Sequence, residues 1–342
     1  MNSRRSLLST LSSLCAIALA ALAVACPPAA AQDNWPSRAV KLISPFPAGG
    51  TSDVMARMVA EALTRELGQP VVVENLGGAG GVIGTLRGVR SAPDGYTLVQ
   101  TGVGQNAVAH GLEPKPAYDS IADFIHITQV HSGPNVLVVH PSTPFKTFRE
   151  LLDFVRANPG KLNYGYTLAA SGHMAMELLK IEAGKCPSAT PNCGGFSIVG
   201  VPYRGGGPML ADLLGGTIPM IFINQDVALQ HVRSGKLRAL AVTSLKRNSL
   251  YPDIPTVDES GIAGFQALSW SGLSVPKGTP AAIVDKLETT MKKIMASAPI
   301  RERMESIGFV IPEQGSAAYT KFVREELELW TRVIKTAGIK AE

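Results

Sequence analysis

The chain alternates short apolar runs with longer segments of helical period. VKLIS at 40–44 is the first apolar run. Residues 53–67 follow it, with Val54, Met58, Ala62 and Leu67 along one stripe and Gly68 where such a helix stops. VVVE at 71–74 predicts a β-branched strand and 80–91 a Gly-rich helix. Pro93-Asp94-Gly95 turns into a strand at 96–101. NVLVV at 135–139 is a further strand, bounded by Pro141 and Pro144. Beyond it come a helix at 148–157, a strand at 162–165 and a helix at 174–183. Strands at 198–202 and 218–223 then flank a helix at 209–214. Strands at 237–243 and 269–275 precede two long amphipathic helices, 281–297 and 319–337. Continuous apolar strands alternating with helices predict an α/β fold whose sheets are mainly parallel and covered by helices. No internal repeat interrupts this order.

The first 31 residues break the pattern. Arg4 and Arg5 precede an apolar run at 7–25, and Ala29-Ala30-Ala31 stands before Gln32. That is the layout of a cleaved signal peptide, which predicts export to the periplasm. Ser3-Arg4-Arg5-Ser6-Leu7-Leu8 resembles a twin-arginine signal, and Ala23-Val24-Ala25-Cys26 resembles a lipobox with Ala in place of Leu. Cleavage near Ala31 leaves about 311 residues, enough for two domains. The whole chain carries +5, of which Arg4 and Arg5 supply two, leaving +3. With no basic run and few aromatics, that balance does not suggest nucleic acid. Two of the four cysteines fall in the leader. The other two, Cys186 and Cys193 in CPSATPNC, form an even, close pair in an exported chain, which predicts a disulfide. Two cysteines without a second pair or a nearby histidine make a poor zinc site, and no metal or cofactor is expected.

Candidate chemistry gathers at strand ends. PFPAGGTSD at 45–53 lies between a strand and a helix start. Such a turn presents free backbone N–H groups and the positive end of the helix dipole to an anion. Pro47 sets the turn, Gly49 and Gly50 admit close approach, Thr51 or Ser52 is expected to cap, and Asp53 sits in the first turn. The loop has no Lys, so it is not a Walker phosphate loop, and a small carboxylate suits it better than ATP. The competing reading is a capped turn that binds nothing. VPYRGGG at 201–207 and Asn224-Gln225-Asp226 are further strand-end loops. Ligands in open α/β sheets sit at such ends. Tyr203 offers a hydroxyl and Arg204 a cation for a second carboxylate; the competing reading is a tight turn with an exposed Arg. His173 is read equally as a helix-start hydrogen bonder or a ligand contact, and Trp270 as core. Gly102-Val103-Gly104-Gln105-Asn106-Ala107 matches G-x-G-x-x-A after a strand. The segment after it is no strand, so the dinucleotide fingerprint lacks its context. No G-x-S-x-G and no convincing catalytic set is present.

At these residues the chain resembles the extracytoplasmic solute receptors of tripartite tricarboxylate transporters, the Bug family. WPSRAVKLISPFPAGGTSD, LGQPVVVENLGGAGGVIGT, APDGYTL, VPYRGGGPML, SGKLRALAVTS, PTVDESG and WSGLSVPKGTP occur in family order and spacing over nearly all of the chain after the leader. The resemblance implies a two-domain flytrap of the periplasmic-binding-protein kind, each domain a mainly parallel sheet flanked by helices. It implies no catalysis, a small carboxylate held by backbone N–H groups and water, and delivery to membrane permease subunits. Its motifs place Phe46, Ala48, Gly49, Gly50, Thr51, Ser52 and Asp53 at the ligand, with Val103, Gly104 and Gln105 from the next cleft loop. The second domain would add Thr167, Ser171, Gly172, His173, Tyr203, Arg204, Gly205 and Asn224. Two departures stand out. The loop before His173 is Gly165-Tyr166-Thr167-Leu168-Ala169-Ala170-Ser171-Gly172, without the family's inner glycines, which makes that end of the cleft more apolar. The Cys186 to Cys193 segment is an insertion.

The expected organisation is a leader at 1–31, domain I at 32–140, domain II at 141–269 and a return to domain I at 270–342. The expected function is a monomeric periplasmic receptor for a small carboxylate. The alternatives are an exported cofactor-dependent oxidoreductase and an orphan receptor that signals to a sensor partner.

Overall fold

The computed structural model describes residues 35–185, 196–313 and 315–340. The leader, Cys186, Cys193 and their expected disulfide lie outside the described residues. Residues from Arg38 onward form one compact unit.

Strand β1 (Val40–Ser44) is buried at all but one position, as a strand covered on both faces must be. It pairs in parallel with β2 (Val71–Asn75) and with β3 (Thr97–Gly102). Helix α1 (Thr51–Leu67) connects β1 to β2 and ends at Gly68, whose φ of 70° lets its N–H reach Thr64 O. Its buried face holds Met55, Val59, Ala62 and Leu63, while Val54 is exposed. The expected stripe was therefore one position out of phase at its start, because Met55 and Val59, rather than Val54 and Met58, face the sheet and core. Helix α2 (Val82–Val89) and the four-residue α3 (Val103–Asn106) follow β2 and β3.

The organising element is β4 (Phe124–Val139), 16 residues long and almost wholly buried. Only its last five residues were legible as strand. Its first part, FIHITQVHSGP, carries two histidines and a Gly-Pro step, and tertiary packing overrides those local signals. That first part runs antiparallel to β9 (Leu268–Pro276), which in turn pairs antiparallel with β3. From Asn135 onward β4 pairs instead with β7 (Met220–Asn224) and β8 (Arg238–Val242), both antiparallel. Beyond β7 lie β5 (Asn163–Tyr166) and β6 (Val199–Pro202), parallel to one another. The spatial order is β2-β1-β3-β9-β4-β7-β5-β6, with β8 on β4. The sheet is thus mixed: parallel in its outer strands and antiparallel around β4.

The exchange of partners happens at Gly133-Pro134-Asn135. A Cβ on Gly133 would sit 2.5 Å from Phe309, so the close packing there requires glycine. Asn135 N donates to Thr243 Oγ1 at 2.8 Å, and Thr243 Oγ1 donates to Ala267 O at 2.6 Å. Side chains therefore satisfy the buried backbone groups where the ladder changes hands.

Helices α4 (Phe148–Ala157), α5 (Ser171–Gly184), α6 (Gly206–Leu214) and α7 (Gln225–Arg233) accompany the second half of the sheet. Helix α5 starts three residues before the expected 174, which puts His173 inside its first turn. Helices α8 (Ala281–Ala296), α9 (Ala298–Ser306) and α10 (Ser316–Ala337) close the chain. Trp270 is core, as expected: it is buried, meets Tyr319 and Phe322 edge-on, and donates to Glu326 Oε2 at 2.6 Å. Trp330 donates to the same oxygen at 2.8 Å.

Two buried histidines on β4 make stability depend on pH. His126 bonds to Ser274 Oγ and Ser120 O, and His131 to Ser271 Oγ while packing on Phe309. Burial holds His126 down at about 4 and His131 at about 3. Both are neutral in the fold, whereas the unfolded chain takes up these protons near the ordinary value of about 6.5. Stability is full above that value and falls as pH drops from about 6.5 toward 4, by up to about 1.4 kcal/mol per pH unit for each group. Thermal unfolding at a series of pH values should show this loss, and His131→Gln should flatten it by one group's share. Parallel pH profiles for the two proteins would remove His131 as a cause.

Candidate functional site

The turn after β1 leaves an open helix end. Gly50 is the N-cap of α1, with φ −93° and ψ 174°, and no side chain caps it. The expected capping by Thr51 or Ser52 does not occur, because Gly50 takes the cap position and both residues already lie inside the first turn, where their hydroxyls act as donors. Ser52 Oγ donates to Gln100 Oε1 at 2.7 Å, and Thr51 Oγ1 donates to both oxygens of Asp226 at 2.9 and 3.0 Å. The first intrahelical bond runs from Val54 N to Gly50 O, at 3.1 Å. The amides of Thr51, Ser52 and Asp53 therefore have no partner within the helix, and the positive end of its dipole faces outward. Ala48, Gly49 and Gly50 are exposed around it, and Phe46 is half-buried.

Asp53 shapes the loop from beneath. It accepts from Gly49 N at 3.0 Å, from Asn75 Nδ2 at 3.0 Å and from Arg57 Nε at 3.1 Å. Asn75 also donates to Phe46 O at 3.1 Å. Burial works to raise the pKa of Asp53, but the Arg57 bond, the Gly49 amide and Asn75 together hold it below the ordinary carboxylate value. The Gly49 amide is thus committed to Asp53. Glycine is needed at 49 for its φ of 91°, whereas Gly50 has a backbone any residue adopts and open space around its missing side chain. Gln100 fixes the helix start from the other side by donating to Ser52 O at 2.9 Å.

The loop between β5 and α5 supplies a second uncapped helix start, at Ala170. Gly172 packs so tightly on β7 that a Cβ would sit 2.2 Å from Phe222 O. Ser171 Oγ lies 3.0 Å from Asn135 Oδ1 and 3.2 Å from Asn224 Oδ1, which ties this loop to the end of β7. His173 is buried and stacked on Tyr166, with centroids 4.3 Å apart. Burial lowers its pKa to about 4, so the ring is neutral. Its Nδ1 and the hydroxyl of Thr167 are buried with no hydrogen-bond partner among the described residues. Ala169 has a left-handed φ of 62°, a conformation that costs an L-residue about 1–2 kcal/mol. A glycine would adopt it freely.

Several predicted residues converge. A Cβ on Gly104 would lie 3.1 Å from the carbonyl oxygens of both Ala169 and Gly80, and 3.7 Å from Phe46 Cζ. One on Gly81 would lie 3.2 Å from Phe46 Cζ and 3.3 Å from Gln105 Oε1. Phe46, Gly104, Gln105 and the Thr167 to His173 loop thus meet at one junction, with Val103 in the core beside it. Tyr203, Arg204 and Gly205 make no hydrogen bond to the first loop among the described residues. Tyr203 donates instead to Asp212 Oδ2 at 2.7 Å, and Arg204 is exposed. The G-x-G-x-x-A stretch becomes the short α3 and then a 3-10 turn at Val108–Gly111, and the next strand begins only at Phe124. No dinucleotide turn is formed there.

Sequence reasoning missed Arg57, Asn75, Gln100 and Asn135, and it named Asp226 only as part of a loop. Asn75 and Gln100 stand in β2 and β3, at or near the ends that feed the site, and polar residues at such positions were the available signal. Arg57 lies four residues after Asp53 on α1, an ion-pair spacing.

Loops converging at the strand ends of a mixed α/β sheet are where such folds bind small ligands, and the solved structures similar to this one include periplasmic binding proteins. The chain belongs to the tripartite tricarboxylate transporter receptor family, whose profile matches residues 55–339. It is 35% identical to BugT of Bordetella pertussis over 327 residues, covering 95% of this chain and 96% of that protein. Among solved structures it is similar to R. palustris Rpa4515 with adipate, with a TM-score of 0.82 and 32% identity over 90% of this chain and 99% of that one. It is similar also to the periplasmic binding protein BugD, with a TM-score of 0.79 and 34% identity over 90% and all of that chain. MatC from Rhodopseudomonas palustris with bound malate gives 0.77 and 30%, covering 88% of this chain and all of that one.

Asp53→Ala should remove the acceptor of the Gly49 amide, of Arg57 Nε and of one of the Asn75 amide hydrogen bonds, and cost about 1–3 kcal/mol of stability. Chemical denaturation measures it. A change below about 0.5 kcal/mol, the range of ordinary surface substitutions, would show that the loop holds its shape without Asp53.

Proposed function

We propose that this protein is a monomeric receptor that captures a small carboxylate between the two halves of its sheet and delivers it to the membrane permease subunits of a tripartite transporter. The observation that carries this reading is the uncapped start of α1, whose free amides form a pocket for one carboxylate without a formal cation. Related proteins seen with adipate and malate support the ligand class. In this reading domain I spans 32–140 and 270–342 and domain II 141–269. Closure bends the chain at Gly133-Pro134-Asn135 and along 243–268. Residues 1–31 direct export to the periplasm and are removed. Phe46, Ala48, Gly50, Thr51 and Ser52 line one side of the ligand. Gln105 stands on that same side, Thr167, Ser171, His173 and Asn224 line the other, and exposed Arg204 pairs with a second carboxylate. Gly49 and Asp53 act by shaping the loop.

Mass spectrometry of ligand released from the purified protein, followed by thermal-shift screening of carboxylates, tests the function. A true ligand at 100 times its dissociation constant adds about 2.7 kcal/mol of stability. Absence of any stabilising carboxylate would defeat the proposal.

Gly50→Val separates site from scaffold. Its side chain would project into open space beside the free amides, so affinity should fall at least tenfold, about 1.4 kcal/mol, with the circular dichroism spectrum unchanged. An unaltered dissociation constant would place the ligand elsewhere.

A further inference from the structure

We infer that Asp226 is a specificity-determining residue that receives an ammonium group on the ligand, beside the carboxylate held at α1. The inference rests on the carboxylate reading above and adds a second charge to it. Asp226 lies in the first turn of α7, in the second half of the sheet, yet its carboxylate meets the first residue of α1 through the Thr51 hydroxyl. One residue, Thr51, thus presents a free amide for an anion and holds an acid at its side chain. A plain carboxylate entering there meets a like charge. A zwitterion meets an amide for its carboxylate and an acid for its ammonium.

Asp226 has no cationic partner among the described residues. Thr51 faces it from α1 and the Val227 amide from its own helix. Tyr251, which donates to Gln225 O at 2.8 Å, is the neighbouring titratable group. Burial raises the pKa of Asp226, as it must for an acid kept from water without a counter-charge. A carboxylate left so is costly, and a ligand cation relieves that cost.

A second and separate group points the same way. Gln105 is 1% exposed, and its Oε1 has no hydrogen-bond donor among the described residues. It stands beside the Phe46 ring at Gly81, in the junction formed by the first loop and the Ala169 loop. Its Nε2 is already turned to Gln100 O at 3.3 Å, which leaves the oxygen toward the junction. The site therefore offers one buried acceptor without a donor, Gln105 Oε1, and one acid without a counter-charge, Asp226, and an amine-bearing ligand supplies a donor to the first and a cation to the second.

The competing account is that Asp226 merely closes the cleft through Thr51. Calorimetry of the full mature protein distinguishes the two, using matched acids that differ only by an amine: succinate and aspartate, glutarate and glutamate, adipate and 2-aminoadipate, butyrate and 4-aminobutyrate. The amine-bearing member of the tightest pair should bind at least about tenfold more tightly. Asp226→Asn, which keeps the shape and an acceptor for Thr51, should remove that preference by weakening the amine-bearing acid, while the desamino acid, relieved of a like charge, should bind no more weakly than to wild type. Thr51→Val, which breaks the closing contact but keeps the acid, should retain the preference. Desamino acids that bind wild type equally or better would overturn the inference, as would an equal loss for both members in Asp226→Asn. Absence of binding by every acid in both sets would instead defeat the carboxylate reading, and this inference with it.

Discussion

One strand serving two sheets is the constraint on which this molecule depends. Strand β4 pairs with β9 along its first part and with β7 and β8 along its last. A single continuous backbone therefore fixes how the strand ends of one half meet those of the other. The change of partners would leave buried amides and carbonyls unpaired. Asn135 and Thr243 prevent that, and Asn135 also reaches Ser171 in the second uncapped loop. The residue that completes the ladder is thus bonded to the loop that the proposed site draws on.

The proposed site is built from backbone rather than side chain: the start of α1 is uncapped by any side chain. An uncapped helix end stabilises an anion because its amides and dipole already point outward, so little reorganisation is needed on binding. The side chains around it act mostly as braces. Asp53, Asn75 and Arg57 hold the turn, and Gln100 holds the helix start. A receptor built this way fixes the charge of its ligand firmly and leaves the rest to a few positions. In the proposed reading Asp226 and Gln105 are the acceptors at those positions, and they would make the pocket bipolar rather than simply anion-seeking.

Much of the fold was legible in the sequence, for physical reasons. Buried strands such as 40–44 and 135–139 are continuous apolar runs, and Gly68 marks the end of a helix with the only side chain that adopts its φ without cost. The first part of β4 was not legible, because His126, His131 and Pro134 read as irregular until the long-range pairing with β9 buries them. The loop of Phe46 to Asp53 was visible as an anion turn, yet the roles of its residues were not. Gly49 and Asp53 look like ligand contacts in sequence, but they bond to each other in the fold. Asp226 was visible only as part of a strand-end loop, and its contact was not, since its partner Thr51 lies 175 residues away.

The central claim is that the uncapped amides of α1 hold a carboxylate by its charge. Titration of the purified protein with carboxylic acids and their primary amides at the same chain length tests it most directly. Each pair has nearly the same shape and differs in one negative charge. The account predicts that acids bind and that their amides bind at least tenfold more weakly, about 1.4 kcal/mol or more. Amides that bind as tightly as their acids would contradict it.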